Sequence, residues 1–181
     1  MKFLCAALAA AALSLAAASS ALASNVTATA TVTAGTLSLS SSATPSVTAI
    51  LNGTDQTPSY TLPMTVNDFT GSGAGWNVTI TSTTFTTGAP VHTLSTTASN
   101  ATGVTALCAG GTCTAPTNAI TYPLGVPAGA SAPTAVKLFN AAANTGMGGF
   151  TVTPTISVAI PANTYAGTYT STVTVAVVSG P

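Results

Sequence analysis

Alternation of apolar and hydroxylated side chains, with a period of two residues, is the feature that most restricts how this chain can fold. It recurs in "VTATATVT" (26–33), "YTLPMTV" (60–66), "WNVTITS" (76–82), "FTVTPTISVAI" (150–160) and "YTSTVTVAV" (169–177). Successive residues of a strand point to opposite faces of a sheet, so the pattern is typical of strands with one face in a core and one in water. Threonine suits the wet face because it is β-branched and still forms hydrogen bonds.

Turn-forming residues separate these segments, at 52–55, 71–75, 109–111 and 161–167. Strands joined by such turns, without a strong helical pattern, predict an all-β fold: an antiparallel β-sandwich with at most one short helix. The candidate helix is the alanine-rich segment 134–144. Residues 88–133 show the least regular alternation, and we expect long loops there.

The N-terminus has the features of a secretory signal peptide. Lys2 is followed by an apolar run from Phe3 to Ala18, and Ala21 and Ala23 supply the small-residue pattern that signal peptidase recognises. We therefore predict a signal peptide at residues 1–23, a single β-sandwich domain at 24–181, and a secreted, extracellular protein at the cell surface. No transmembrane segment is expected after processing.

Charge is nearly absent from the predicted mature chain. After residue 23 the only charged side chains are Asp55, Asp68 and Lys137, and His92 is the sole histidine. Nucleic acid is excluded as a partner because phosphate binding depends on lysine and arginine. Electrostatic attachment to a membrane is excluded for the same reason. A nearly neutral surface resists self-association poorly, which favours a protein that assembles or coats.

The cysteine pair Cys108 and Cys113, in "CAGGTC", is interpreted as a disulfide because an even pair in a secreted chain usually is one. The alternative is half of a metal site. A structural metal site needs more ligands than this chain offers, with no second cysteine pair and one histidine, so we expect no metal.

No catalytic arrangement stands out. His92, Asp55 and Asp68 could nominally combine with a serine, but no nucleophile elbow is present, and aspartates in turns commonly cap their own backbone. A nucleotide-binding loop is not indicated, because Trp76 and Asn77 follow the glycines of "GSGAG" where such a loop needs other residues. We interpret its glycines as a turn with positive φ angles and Trp76 as the anchor of the next strand. The prediction is a non-enzymatic protein without cofactors.

Three segments together resemble the WxL domain of bacterial surface proteins, over most of the predicted mature chain. They are "VTAGTLSLS" (32–40), "LPMTVNDFTGSGAGWNVTITSTTF" (62–85) and "VAIPANTYAGTYTSTVTVAVVSGP" (158–181). The family features fall on Gly35, Leu37, Asp68, Gly73, Gly75, Trp76, Pro161, Ala166, Gly167, Tyr169, Thr172 and Pro181. The chain departs from the family where "WNV" replaces W-x-L, and where "VAV" (175–177) lacks the second tryptophan. The resemblance implies a divergent member that attaches non-covalently to the cell wall through peptidoglycan.

Function is therefore expected to lie in strand faces and edges. The leading hypothesis is a structural or adhesive cell-surface protein whose partner is a cell-wall polymer. The alternative is a filament subunit that binds copies of itself, in which residues 24–40 leave their own domain and complete a neighbour's sheet. Val26, Ala28, Ala30 and Val32 would be the inward-facing residues of that donor strand. A carbohydrate-binding module is a third possibility.

Overall fold

The structure is a computed structural model that describes residues 24–181; the predicted signal peptide, residues 1–23, lies outside the described residues. In this range the chain forms strands and no helix, which confirms the all-β prediction. The strands are β1 (Leu37–Ser40), β2 (Ser59–Thr61), β3 (Met64–Asp68), β4 (Trp76–Thr83), β5 (Ser99–Gly110), β6 (Leu124–Gly125), β7 (Ala128–Gly129), β8 (Val136–Ala141), β9 (Gly148–Val158) and β10 (Val173–Ser179).

The first sheet is antiparallel and has the order β1-β3-β9-β5-β6. β2 and β3 lie end to end along β9, with Tyr60 opposite Ile156 and Met64 opposite Val152. Pro63 separates the two strands, and its carbonyl accepts a hydrogen bond from the Ser41 hydroxyl at 2.9 Å. Among residues 24–181, β1 pairs only with β3, so no described strand lies beside the outer side of β2.

The second sheet is built around β4. β10 pairs with one side of β4 and β8 with the other, both antiparallel, and the short β7 runs parallel to the end of β4. A bulge between Val78 and Thr79 shifts the register of β8.

The core lies between the two sheets and is formed by the apolar faces that the alternation predicts. Trp76, Val78 and Ile80 of β4 are fully buried, and they belong to one cluster with Phe150 and Val152 of β9. Each fully buried side chain of this size contributes about 1.5–3 kcal/mol to folding. Val173, Val175 and Val177 of β10 face the same core but are only half-buried.

The polar face of β4 is not the wet surface that the alternation predicts. Asn77 and Thr81, two residues of this face, are buried. The Asn77 amide donates to the Gly180 carbonyl at 2.7 Å, and the Thr81 hydroxyl donates to the Pro133 carbonyl at 2.8 Å. Chain segments far away in sequence cover this face, and their free carbonyls satisfy its polar groups.

One local prediction is wrong, and another is confirmed only in part. Residues 134–144 contain the strand β8 followed by a turn, in which Asn144 has a φ of 62°. The segment forms a strand and not a helix because Leu138 and Phe139 are buried beside β4. This tertiary packing overrides alanine's helix propensity. The region 88–133 is also more regular than expected, because it contains the twelve-residue strand β5.

The N-terminal segment 24–32 belongs to a different compact unit from the sandwich, which comprises Thr33–Pro181. Residues 24–36 form no strand, so the strand predicted over 26–33 is absent from the described chain. Val26, Ala28, Ala30 and Val32 are all exposed. Fixing a residue costs about 1–2 kcal/mol, and small side chains without a partner strand do not offset that cost.

Candidate functional site

The Trp76 corner occupies one end of the sandwich and confirms the interpretation of the glycine-rich stretch. Gly71, Gly73 and Gly75 have φ angles of 65°, 66° and 73°, which side chains other than glycine rarely adopt. The Asp68 carboxylate accepts hydrogen bonds from the Thr70 amide at 3.1 Å and the Thr70 hydroxyl at 2.6 Å. Asp68 therefore caps its own turn, as predicted for an aspartate in this setting.

The indole of Trp76 is held on three sides. Its N–H donates to the Gly146 carbonyl at 2.8 Å, and its ring lies 5.7 Å from Phe139 and 6.2 Å from Phe150, between ring centroids. A Cβ built on Gly146 would lie 2.7 Å from the indole nitrogen, so only glycine fits there. These partners secure the corner as a structural element, and the tryptophan is not exposed for binding.

The disulfide prediction is confirmed. Cys108 lies near the end of β5 and is bonded to Cys113, which closes the "CAGGTC" loop. The alternative of a metal half-site is excluded because both sulfur atoms are used in the disulfide bond. Across residues 24–181, no three side chains of histidine, cysteine, aspartate or glutamate come together.

Gly167 and Tyr169 lie apart from the Trp76 corner, in the segment 161–171 that leads into β10. This segment is tied down by Asp55, whose carboxylate accepts the Ala162 amide at 2.8 Å. Asp55 therefore caps a remote segment, and the prediction that it caps its own turn is wrong. The Tyr169 hydroxyl donates to the Tyr165 carbonyl at 3.0 Å, and the Gly167 backbone passes close to the Thr87 side chain.

An apolar cleft of about 830 Å³ opens beside this segment; we refer to it as the end cleft. Such a volume falls in the range of ligand pockets. Residues 43–49 and Leu51 lie over one side of it, and residues 164–171 border its mouth. Its walls come from the first sheet, from β10 of the second sheet and from connecting segments, and include Tyr60, Leu62, Phe85, Leu94, Val158, Tyr169 and Val173.

The end cleft is electrically neutral. Asp55, Asp68, His92 and Lys137 are all absent from its lining. Burial raises the pKa of the Tyr60 hydroxyl above its usual value of 10.0, so this group is protonated at physiological pH. A charged ligand would lose its hydration here without gaining a counter-charge, which costs free energy. The cleft therefore suits a neutral ligand with apolar faces.

An aromatic pair marks the mouth of the cleft. The His92 and Tyr165 rings are stacked, with centroids 3.9 Å apart and an angle of 12° between their planes. Tyr165 lines the cleft and is 66% exposed. The structure thus gives His92 an aromatic partner, while Asp55 and Asp68 bind Ala162 and Thr70; the nominal triad is not assembled.

Comparison with known proteins adds no relatives. No protein-family profile, curated protein or solved structure matches the chain. Within the described part, no helix is both long and apolar enough for a membrane span.

Sequence reasoning missed most of the residues that build the cleft. Phe85 lies beyond the end of the strand predicted at 76–82 and Leu94 lies in a region predicted as loop, and neither position has a periodic pattern around it. It also missed Gly146 as the partner of Trp76. The one available signal was "NTG" (144–146), a turn sequence, but that pattern does not show which side chain the turn contacts.

Proposed function

We propose that this protein is an exported, non-enzymatic component of a cell surface, which holds an uncharged part of a cell-wall polymer in the end cleft. The observation that carries the proposal is the end cleft itself, a large neutral pocket with tyrosines at its wall and mouth. The apolar faces of sugar rings pack on aromatic rings, and tyrosine offers an apolar face and a polar hydroxyl together.

The WxL resemblance supports the same role. Gly167 and Tyr169, two residues of the family-like closing segment, line the end cleft. Trp76 and Asp68, which belong to the other family-like segment, secure the opposite corner of the fold. In a divergent member that lacks both W-x-L motifs, the closing segment then carries the binding.

The lining also argues for binding rather than catalysis. General acid–base chemistry needs a group whose pKa lies near the working pH, usually histidine or a carboxylate. The end cleft presents tyrosines, threonines and aliphatic side chains instead. We therefore assign no catalytic residue.

The test is co-sedimentation of the purified protein with purified peptidoglycan. Tyr165→Ala should weaken binding about threefold to tenfold, because it removes the exposed aromatic at the mouth. Phe69→Ala is the matched control: Phe69 is 56% exposed, is not part of the cleft lining, and should leave binding unchanged. Absence of binding by the wild type, or equal losses in both variants, would overturn the proposal.

A carbohydrate-binding module is the second candidate, and the stacked His92–Tyr165 pair is the observation that favours it. Release of the bound protein by soluble oligosaccharides would identify the sugar as the ligand. Release only by fragments that retain the peptide would identify the intact wall polymer.

A further inference from the structure

The edge strand β10 offers an unused row of backbone hydrogen-bonding groups. The Thr83 amide donates to the Thr172 carbonyl and the Gly180 amide to the Gly75 carbonyl, each at 2.9 Å, so even-numbered residues bond to β4. In an antiparallel pair the bonding direction alternates, so Val173, Val175, Val177 and Ser179 point their N–H and C=O groups away from β4. Within residues 24–181, no strand pairs with that side.

This edge lacks the usual protection against pairing. Exposed edges are normally blunted by lysine, proline, a bulge or short length. β10 is seven residues long, pairs with β4 in unbroken register, and contains neither proline nor charge. Its inward side chains Val173, Val175 and Val177 are only half-buried. β1 lies close to β10 but does not pair with it. The half-buried valines therefore leave apolar surface on this side that one more strand, entering beside β10, would bury.

The N-terminal segment has the matching properties. Residues 26–32, "VTATATV", number seven, alternate apolar and threonine side chains, and carry no charge. They form no strand in the structure, and Val26 and Val32 are 89% and 94% exposed. Two of the four apolar side chains are alanines, small enough to enter the space beside the half-buried valines.

We propose that residues 26–32 of a second copy of this chain add to β10 as an antiparallel strand, with Val26, Ala28, Ala30 and Val32 facing the core. Main-chain hydrogen bonds supply the affinity, and the alternate side chains fix the register. Neither surface has a charge to desolvate.

A second copy fits this edge better than the chain's own segment. Leu37 lies opposite Asp68 and Ser179 opposite Trp76, so β1 begins and β10 ends at the same turn. Only residues 33–36 connect the segment to β1, so within one copy it would run parallel to β10. A separate copy can bind antiparallel, which is the more stable pairing.

The consequence is an open assembly. Each copy has one donor segment and one acceptor edge in different parts of the chain, so the contact is heterologous, and such contacts build rings or filaments rather than closed dimers. The acceptor edge shares Val173 with the lining of the end cleft. The donor residues 26–32 are not part of that lining, so variants of the donor test assembly independently of cell-wall binding.

The donor is tested with paired variants of the purified protein. Ala28→Asp with Ala30→Asp places charges on the face that enters the core, and should give monomers by light scattering and no filaments by electron microscopy. Thr29→Asp with Thr31→Asp, the matched control on the outward face, should assemble like the wild type. Monomeric wild type at about 100 μM, or equal assembly of both variants, would overturn the proposal.

The acceptor is tested with Val175→Pro. The Val175 amide faces the free edge, so proline there removes a donor without breaking a bond to β4. A labelled synthetic peptide of residues 25–33 should bind the Ala28→Asp, Ala30→Asp protein, and binding should fall at least about tenfold when Val175→Pro is added. Failure of the peptide to bind overturns the proposal, as does equal binding to both proteins. If Val175→Pro unfolds the protein, the donor variants alone test the proposal. Their substitutions lie in residues 24–32, which form no strand in the structure.

Discussion

At the scale of single residues, the Trp76 corner shows how a charge-poor chain fixes its geometry. The indole N–H needs an acceptor because the ring is fully buried, and the Gly146 carbonyl supplies it. Gly146 itself has a φ of 70°, and its missing side chain leaves the room that the indole occupies. A turn between β8 and β9 and a turn before β4 therefore depend on each other, although they are 70 residues apart.

Two glycine variants distinguish the destabilisation caused by backbone strain from the destabilisation caused by a steric clash. Gly71→Ala and Gly146→Ala meet similar φ angles, 65° and 70°, but a Cβ on Gly71 has nothing within 4 Å. We expect Gly71→Ala to lower the free energy of unfolding by about 1–2 kcal/mol through strain alone. Gly146→Ala should cost about 3 kcal/mol or more, because its methyl would also overlap the Ala141 Cβ and the Trp76 indole. Urea denaturation measures both, and equal losses would mean that these two contacts contribute nothing.

At the scale of elements, the alternation predicted the faces of β3, β4 and β9 that form the core, and the turn chemistry predicted the positive φ angles before Trp76. Neither could predict that the polar face of β4 would be buried, because Asn77 and Thr81 find their acceptors at Gly180 and Pro133, far along the chain. β8 was missed because the alanines at 135 and 141–143, in and around the strand, favour a helix locally, whereas pairing with β4 favours a strand. The end cleft was missed because much of its lining comes from loops, which have no periodic pattern.

The disulfide at the end of β5 should be a modest local constraint. Closing so short a loop removes little entropy from the unfolded chain, about 2 kcal/mol by the chain-entropy model. Cys108→Ser with Cys113→Ser should lower the free energy of unfolding by about that amount, and reduction of the wild type should lower it equally. Urea melts with and without dithiothreitol measure this. A loss above about 4 kcal/mol would show that the bond also holds the neighbouring strands in place.

At the scale of the whole molecule, the scarcity of charge leaves the fold dependent on burial and hydrogen bonding. Asp55 and Asp68 both act as hydrogen-bond acceptors within the structure, and the Lys137 ammonium donates to the Pro181 carbonyl at 2.7 Å. The two surfaces to which we assign function, the end cleft and the β10 edge, are correspondingly neutral. Binding at either should therefore depend little on salt, since screening acts only on charged groups.

Because the chain has so few charged groups, the change of its stability at alkaline pH depends on a few tyrosines. Burial raises the pKa of Tyr60, and burial also raises that of Tyr122, against a smaller lowering by its hydrogen bond with Asn118. The folded state therefore holds these protons more tightly than the unfolded chain, whose tyrosines titrate near pH 10. The contribution to stability is complete below pH 10 and is lost as the pH rises beyond it.

We expect the free energy of unfolding, from urea melts, to be flat between pH 8 and pH 9.5 and to fall from about pH 10 upward. Tyr60→Phe removes one of the two groups without removing a hydrogen bond assigned in the structure, so its decline above pH 10 should be shallower than that of the wild type. Tyr122→Phe should also flatten the decline, but from a lower starting stability, because the Tyr122 hydroxyl donates to the Leu138 carbonyl at 2.6 Å. An unchanged slope in the Tyr60→Phe variant would show that the end cleft admits enough water to hydrate the phenolate, and the cleft would then be a poor site for the apolar face of a ligand.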